Sequence, residues 1–475
     1  MKYRDTRDAS RQVSFRTAVL QGMDPETGGL YIPMEIPALP ESFLFKNPAP
    51  SFRDIAYEAA KPFVAGEISD ADLMAIIADA YPFTAPIAPI DPTTYVLELF
   101  HGPTCAFKDF GARFMARMMS YFNKGEKDPL HILVATSGDT GSAVGSAFYG
   151  VPGIDVTILY PEGKISLIQE KQLSTFDGNV RALKVSGTFD DCQKLVKTAF
   201  TDEELRGTLR LSSANSINIS RLLPQSFYYI YGSLLIRERA WHDSKIDNPS
   251  LIVTVPSGNF GNLTSGLMAK KMGAPIRGFI AATNSNRTIP DWLDSGKYEA
   301  RPSVATLSNA MDVGAPSNYE RMQAMYSVAE ARKMIAGYWL DDAGTRAAIR
   351  SCHEKTGYII DPHGAVAWQA WNDVRSGAMA AVLDGAKKKK PMEPGLRGDK
   401  KTAPEWARDC ADKKCVGMIL ETAHPAKFGE TVKEVIGRDP SLPERLEKVL
   451  GLPDRAGKMS TDYAEFREWL LKNLK

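Results

Sequence analysis

Lys108 stands in the segment His101-Gly102-Pro103-Thr104-Cys105-Ala106-Phe107-Lys108-Asp109-Phe110-Gly111, between two aromatic residues and after a Gly-Pro turn. An amine at the mouth of an amphipathic helix can be partly buried and its pKa lowered, as a Schiff-base lysine requires. The same residues also suit a lysine that snorkels off an apolar helix face. A second segment, Thr136-Ser137-Gly138-Asp139-Thr140-Gly141-Ser142, follows a buried strand and precedes a helix. Small residues there let backbone N–H groups converge on a carboxylate or phosphate, and the hydroxyls add donors. A plain strand-to-helix turn with Ser/Thr/Asp capping has the same composition.

Pro256-Ser257-Gly258-Asn259-Phe260-Gly261-Asn262-Leu263 repeats the strand–turn–helix pattern. Its two glycines and two asparagines suit positive φ and close backbone approach, the type of a phosphate cradle or of a tight turn. It lacks the P-loop lysine and the dinucleotide-binding spacing, which argues against a nucleotide. Asn215-Ser216-Ile217-Asn218-Ile219-Ser220-Arg221 offers a donor-rich edge ending in an arginine, the natural fork for phosphate oxygens, or else a polar loop capping a helix. The strand Val416–Leu420 ends in Glu421-Thr422-Ala423-His424-Pro425, where Thr422 could offer a hydroxyl to a ring nitrogen. His424 alone reads as a structural histidine. The six histidines and five cysteines show no metal-ligand spacing, so no metal is expected in the catalytic role.

The elements that must position these residues follow from the apolar pattern. Phe110, Phe114, Met118 and Phe122 are four apart, one face of a helix that begins at Lys108. Ile132–Ala135, Val156–Tyr160, Val180–Val185, Leu251–Val255 and Ile276–Ala282 are short apolar runs separated by helical stretches. That alternation predicts βαβ units and an α/β fold with two doubly wound parallel sheets. Two glycine-bearing turns at strand C-ends, one per sheet, would face a shared cleft. Helices are expected at Phe52–Ala60 and Asp70–Tyr81, with the four-proline run Pro82–Pro92 as a linker or strap. We therefore expect a small leading domain at 1–95, a large domain from 96–130 and 225–475, and a small mobile domain at 131–224.

The 475 residues suggest two or three domains, and 44% hydrophobic with 24% charged residues excludes a wholly disordered chain. A net charge of +1 lacks the basic excess of a nucleic-acid binder. The scattered, odd number of cysteines suits a reducing compartment, with no pairing needed for folding. No apolar run nears the roughly 20 residues that span a bilayer, and the start lacks a signal-peptide core, so a cytoplasmic protein is expected. Within 387–414, ten Lys/Arg face five Asp/Glu, and the segment reads as a Lys-rich surface insertion within the large domain rather than a polyanion site.

Taken together and in order, His101–Gly111, Ser137–Gly141, Asn215–Gln225, Ser257–Asn262 and Glu421–Phe428 resemble the threonine synthases. Ser14-Phe15, Leu20-Gln21-Gly22 and Gly28-Gly29-Leu30-Tyr31 are similar too, so the resemblance spans nearly the whole chain and points to the longer microbial and fungal class. It implies a fold-type-II enzyme of pyridoxal 5′-phosphate that converts O-phospho-L-homoserine and water to L-threonine and phosphate. It implies Lys108 as the cofactor-binding lysine and the Ser257, Gly258, Asn259, Phe260, Gly261 and Asn262 backbone on the cofactor phosphate. Thr422 would face the pyridine nitrogen, and Asp139 would lie near the phenolic oxygen, where shorter relatives carry Asn. Ser137 and Thr140 would hold the substrate carboxylate; Asn215, Ser216, Asn218 and Arg221 would hold its phosphate. A monomer or weak homo-oligomer acting on a small molecule follows from the same resemblance, and the charge balance and apolar runs add the expectation of no nucleic acid or membrane partner. Other fold-type-II enzymes, a serine/threonine dehydratase or a β-replacement synthase, would share Lys108 and the glycine turns but need no second phosphate site. A non-catalytic binding protein of this fold would have lost the lysine or a glycine turn.

Overall fold

Strands that alternate with helices are gathered into two mostly parallel sheets. A computed structural model of the chain describes residues 1–475 except 245, 247–248, 379–393, 397–403, 405, 412–413 and 475. The larger sheet has seven strands in the spatial order Gly395–Leu396, Ile335–Trp339, Gly278–Thr283, Ser250–Pro256, Cys415–Glu421, Thr94–Glu98 and Ile87–Asp91. Its interior pairings are parallel, and only the two edge strands run antiparallel. The smaller sheet is wholly parallel, in the order Gly457–Met459, Val180–Val185, Ile154–Pro161, Leu130–Ala135 and Arg210–Ser213. The interior strands are buried along their length, as near-continuous apolar sequences in a sheet covered on both faces must be.

Three expectations change. Pro82–Pro92 is not a free linker: Ile87–Asp91 is the edge strand of the larger sheet, where Pro89 can sit because an edge position needs no second ladder bond. Residues 1–95 do not keep a core to themselves. Tyr3, Phe15, Ile55 and Tyr81 belong to the same apolar cluster as Phe110 and Phe114, and the Tyr81 hydroxyl donates to the Phe110 carbonyl at 3.0 Å. The chain end crosses over: Gly457–Met459 adds a strand to the smaller sheet, and Phe466 and Leu470 of the helix Tyr463–Asn473 join that sheet's core. Assigning all of 225–475 to the larger unit missed this, because a three-residue edge strand has no apolar run of its own.

The Lys387–Lys390 cluster lies outside the described residues. The described part of the same segment is built into the fold rather than laid on its surface. Trp406 is fully buried, and its indole N–H donates to the Met334 carbonyl at 2.8 Å. Cys410 and Cys415 are joined in a disulfide, which the expectation of a reducing compartment did not foresee, while Cys105, Cys192 and Cys352 are free and buried. Among the described residues no helix is long and apolar enough to cross a membrane.

Candidate active site

Lys108 opens the helix Lys108–Asn123, and the turn before it is fixed from both sides. Thr104 donates its N–H and its hydroxyl to the buried Asp109 carboxylate, each at 2.8 Å, tying the turn to the first helical residues. Cys105 takes φ of +57°, a left-handed conformation that a non-glycine residue holds only under surrounding constraint. The constraint is a short bridge to the end of the strand Cys415–Glu421: the Phe107 N–H donates to the Thr422 carbonyl at 2.8 Å and the His424 N–H to the Cys105 carbonyl at 3.0 Å. Lys108 and Thr422, 314 positions apart in sequence order, are thereby neighbours through one peptide.

The Lys108 amine is half-buried and donates to the Thr140 hydroxyl at 3.0 Å. Burial is the main force that lowers its pKa to about 8; the Arg221 and Lys427 cations act the same way, and Asp139 opposes them. Asp139 is itself buried. Burial alone would raise its carboxyl, but Lys427 at 2.6 Å and the Gln169 amide at 3.0 Å outweigh that and hold it at about 2. In the same turn, Thr136 accepts the N–H groups of Gly138 and Gly141 at 3.0 and 2.9 Å. Gly138 has φ of +127°, which excludes a side chain. The N–H groups of Ser137, Asp139 and Thr140 meet no acceptor among the described residues.

The turn Ser257–Asn262 spends its side chains on its own shape. Asn262 accepts from the Ser257 hydroxyl and the Leu263 N–H and donates to the Pro256 carbonyl at 2.9 Å. Asn259 donates to the Ser216 hydroxyl at 2.6 Å and accepts from Ser317. The left-handed residue is Phe260, with φ of +61°, rather than the glycines or asparagines expected to occupy that region. The glycines serve close approach instead: a Cβ on Gly258 would lie 2.6 Å from the Met311 Cα, and one on Gly261 would lie 3.2 Å from the Ser216 Cβ. The consequence is five consecutive N–H groups, Gly258 to Asn262, with no acceptor among the described residues, at the start of the helix Gly261–Lys271 and largely buried. Buried backbone donors need partners, and this donor set at a helix N-terminus fits a phosphate group.

The segment 215–221 divides. Asn218 is fully committed: its carbonyl oxygen accepts from Ser220, and its amide donates to the Val19 carbonyl at 2.8 Å. It shapes the loop and has no donor left for a ligand. Ser216 is engaged by Asn259 and Asn318, and Asn215 is half-buried. Arg221 is 2% exposed, its only acceptor among the described residues is the Ala214 carbonyl at 2.6 Å, and its Nε has none. Among the described residues no carboxylate lies within ion-pair distance of it, and burial lowers its pKa to about 10, with Asp109 opposing.

Four contributors escaped the sequence reading. Lys427 lies inside the Glu421–Phe428 motif, yet a lysine after a proline there looks solvent-bound until the fold buries it to 1% exposure. Gln169 sits in the helix Leu167–Ser174 and reaches Asp139. Arg321 is fully buried and donates to the Ser216, Ile217 and Tyr31 carbonyls, fixing the 215–217 loop. Asp361 accepts the Ala423 N–H at 3.0 Å while its own N–H donates to the Glu421 carboxyl at 2.7 Å. Burial, together with the neighbouring Asp361 carboxylate, raises the Glu421 pKa well above its ordinary value. Only Asp361, followed by Pro at a helix start, carried a local signal, that of an N-cap.

Comparison with known proteins bears on the whole chain. Residues 2–81 match the family described as Threonine synthase N terminus, residues 90–383 the Pyridoxal-phosphate dependent enzyme family, and residues 401–469 the family described as Threonine synthase, C-terminal. The chain is similar to the threonine synthase of Escherichia coli, 40% identical over 474 residues and covering 100% of both chains. It is similar to that of Haemophilus influenzae, 40% identical with 97% of each covered. The crystal structure of the Escherichia coli protein superposes with a TM-score of 0.83 over 99% of this chain and 100% of that one, at 38% identity. A pyridoxal-phosphate-bound threonine synthase from Brucella melitensis superposes with a TM-score of 0.81 at 32% identity, covering 99% and 98%.

Proposed function

The chain belongs to the threonine synthase family of pyridoxal-phosphate-dependent enzymes, and on that premise we propose that it converts O-phospho-L-homoserine and water to L-threonine and phosphate. The observation that carries the substrate assignment is Arg221: a buried guanidinium with an unpartnered Nε, close enough to Lys108 to depress its pKa. A buried cation without a carboxylate calls for an anion. The five N–H groups of 258–262 form a separate donor set, so the geometry favours two anionic groups, one for the cofactor phosphate and one for the substrate phosphate.

Bound cofactor supplies an electron sink for the carbanion formed next to the substrate nitrogen. The chain's own residues do the rest. Lys108, with its amine near pKa 8, is neutral in a useful fraction of molecules and takes the proton from Cα and later returns one. The open N–H groups of Ser137, Asp139 and Thr140, with the Ser137 and Thr140 hydroxyls, hold the substrate carboxylate. Thr422 offers a neutral hydroxyl to the ring nitrogen, which cannot force that nitrogen to protonate as a carboxylate would. Asp139, held ionised by Lys427, faces the phenolic side. Arg221 and Asn215 hold the phosphate until it leaves from Cγ; Ser216 supports them and Asn218 only shapes the loop. In this reading the larger sheet carries the cofactor, the smaller sheet moves over the substrate to exclude bulk solvent while the reacting water is kept, and the protein works in the cytoplasm.

The test is release of phosphate and threonine from O-phosphohomoserine in equal amounts. Ammonia from serine or threonine with no phosphate release would assign a dehydratase instead. Arg221→Ala should raise KM for O-phosphohomoserine about tenfold or more, the equivalent of about 1.4 kcal/mol. A KM within about twofold of wild type would remove Arg221 from the site.

A further inference from the structure

Lys427 joins the two sheets with one amine. It lies in the turn Pro425–Phe428, which follows the larger sheet's central region, and it is 1% exposed. Its Nζ meets the Asp139 carboxylate at 2.6 Å and donates to the Thr104 carbonyl at 3.1 Å. Thr104 belongs to the turn that delivers Lys108; Asp139 opens the helix Asp139–Phe148 beside the smaller sheet. One residue further on, Thr140 accepts from Lys108 at 3.0 Å. Two lysines therefore grip adjacent residues of a single turn.

Their duties differ. In the reading above, Lys108 must leave Thr140 to engage the cofactor and to carry protons. Both acceptors of Lys427 are protein groups, and Gln169 completes the Asp139 oxygen at 3.0 Å. Nothing in the reaction calls Lys427 away. We propose that Lys427 is a positioning residue that keeps the Ser137–Thr140 turn in register with the Lys108 turn while Lys108 itself is occupied. The carboxylate-binding donors then stay aimed across the cleft at the moment when the other tether is released. The proposal rests on the roles given above to Lys108 and to Ser137–Thr140.

The test uses the holoenzyme of Lys427→Met, and of Lys427→Gln, which keeps a hydrogen-bond donor at this position if the Met variant folds poorly. Cofactor content after denaturation, amide hydrogen exchange along Asp139–Phe148, and KM and kcat are measured. Cofactor content within about twofold of wild type, exchange at the start of that helix about tenfold faster, and KM for O-phosphohomoserine raised about tenfold with a smaller change in kcat would support the assignment. Exchange and KM within about twofold of wild type would overturn it. So would faster exchange spread evenly over the chain together with loss of cofactor, which marks a merely structural role. Failure of the parent reading shows elsewhere: Lys108→Ala would then keep the cofactor's visible band, whereas hydrogen exchange in the Lys427 variants does not depend on that residue.

Discussion

The two glycine-bearing turns, Thr136–Ser142 and Pro256–Leu263, share a composition and a place at strand C-ends, yet they distribute their hydrogen bonds differently. In the first, the Thr136 hydroxyl consumes two backbone donors, at Gly138 and Gly141, and leaves three, at Ser137, Asp139 and Thr140, interrupted by the one at Gly138. In the second, every polar side chain turns toward its own scaffold or toward 216 and 317, and five donors in a row stay open. A few interrupted donors with flanking hydroxyls suit a planar carboxylate; an unbroken run at a helix start suits a three-oxygen phosphate. What a glycine turn binds is thus decided by where its threonine and asparagine side chains point. The glycine count is equal to either use.

The sharpest way to break this contrast is at Lys108, which stands between the turns. Lys108→Ala should lower turnover by roughly 10³-fold or more and abolish the cofactor's visible band; a variant with unchanged turnover refutes its role. At the second turn, Gly258→Ala drives a Cβ to 2.6 Å from the Met311 Cα. Overpacking of about 1–3 kcal/mol should weaken cofactor retention about tenfold, measured by equilibrium dialysis, with less effect on KM of the fully loaded enzyme. At the first turn, Thr136→Val leaves the Gly138 and Gly141 N–H groups without their acceptor. A cost of about 1–3 kcal/mol in denaturant unfolding is expected. KM should rise and cofactor affinity should stay within about twofold of wild type; equal damage to both would erase the division of labour. The smallest effect is one of pH. The Lys108 amine falls from the ordinary 10.5 to about 8 on folding, chiefly through burial, so the unfolded chain binds more protons between those values. Lys108 therefore destabilises the cofactor-free protein below pH 8, and that penalty fades as pH rises toward 10.5. Cofactor-free Lys108→Met should melt above wild type at pH 7, with the gap closing at higher pH.

Helical and strand periods were legible wherever an element was long enough to repeat them. The helix Lys108–Asn123, the strand Leu130–Ala135 and the strand Val180–Val185 fall where the apolar pattern sets them. The edge strands Ile87–Asp91 and Gly457–Met459 were not legible, because five and three residues, with a proline in one and a lysine in the other, carry no period. Ser137, Thr140 and the 257–262 turn announced themselves by glycine and hydroxyl content. Lys427, Gln169 and Arg321 did not, since a charged or amide side chain gives no local sign that the fold will bury it.

The order of residue types along the chain determined which groups exist for chemistry: an amine beside aromatic rings, two turns able to expose backbone donors, and a guanidinium after a polar loop. It also determined the alternation that makes parallel sheets. Only the tertiary structure decided which donors stay open, which cation is left without a carboxylate, and which lysine is spent on Asp139. Those outcomes depend on partners tens to hundreds of residues away, and a buried polar group's chemistry is set by what satisfies it there.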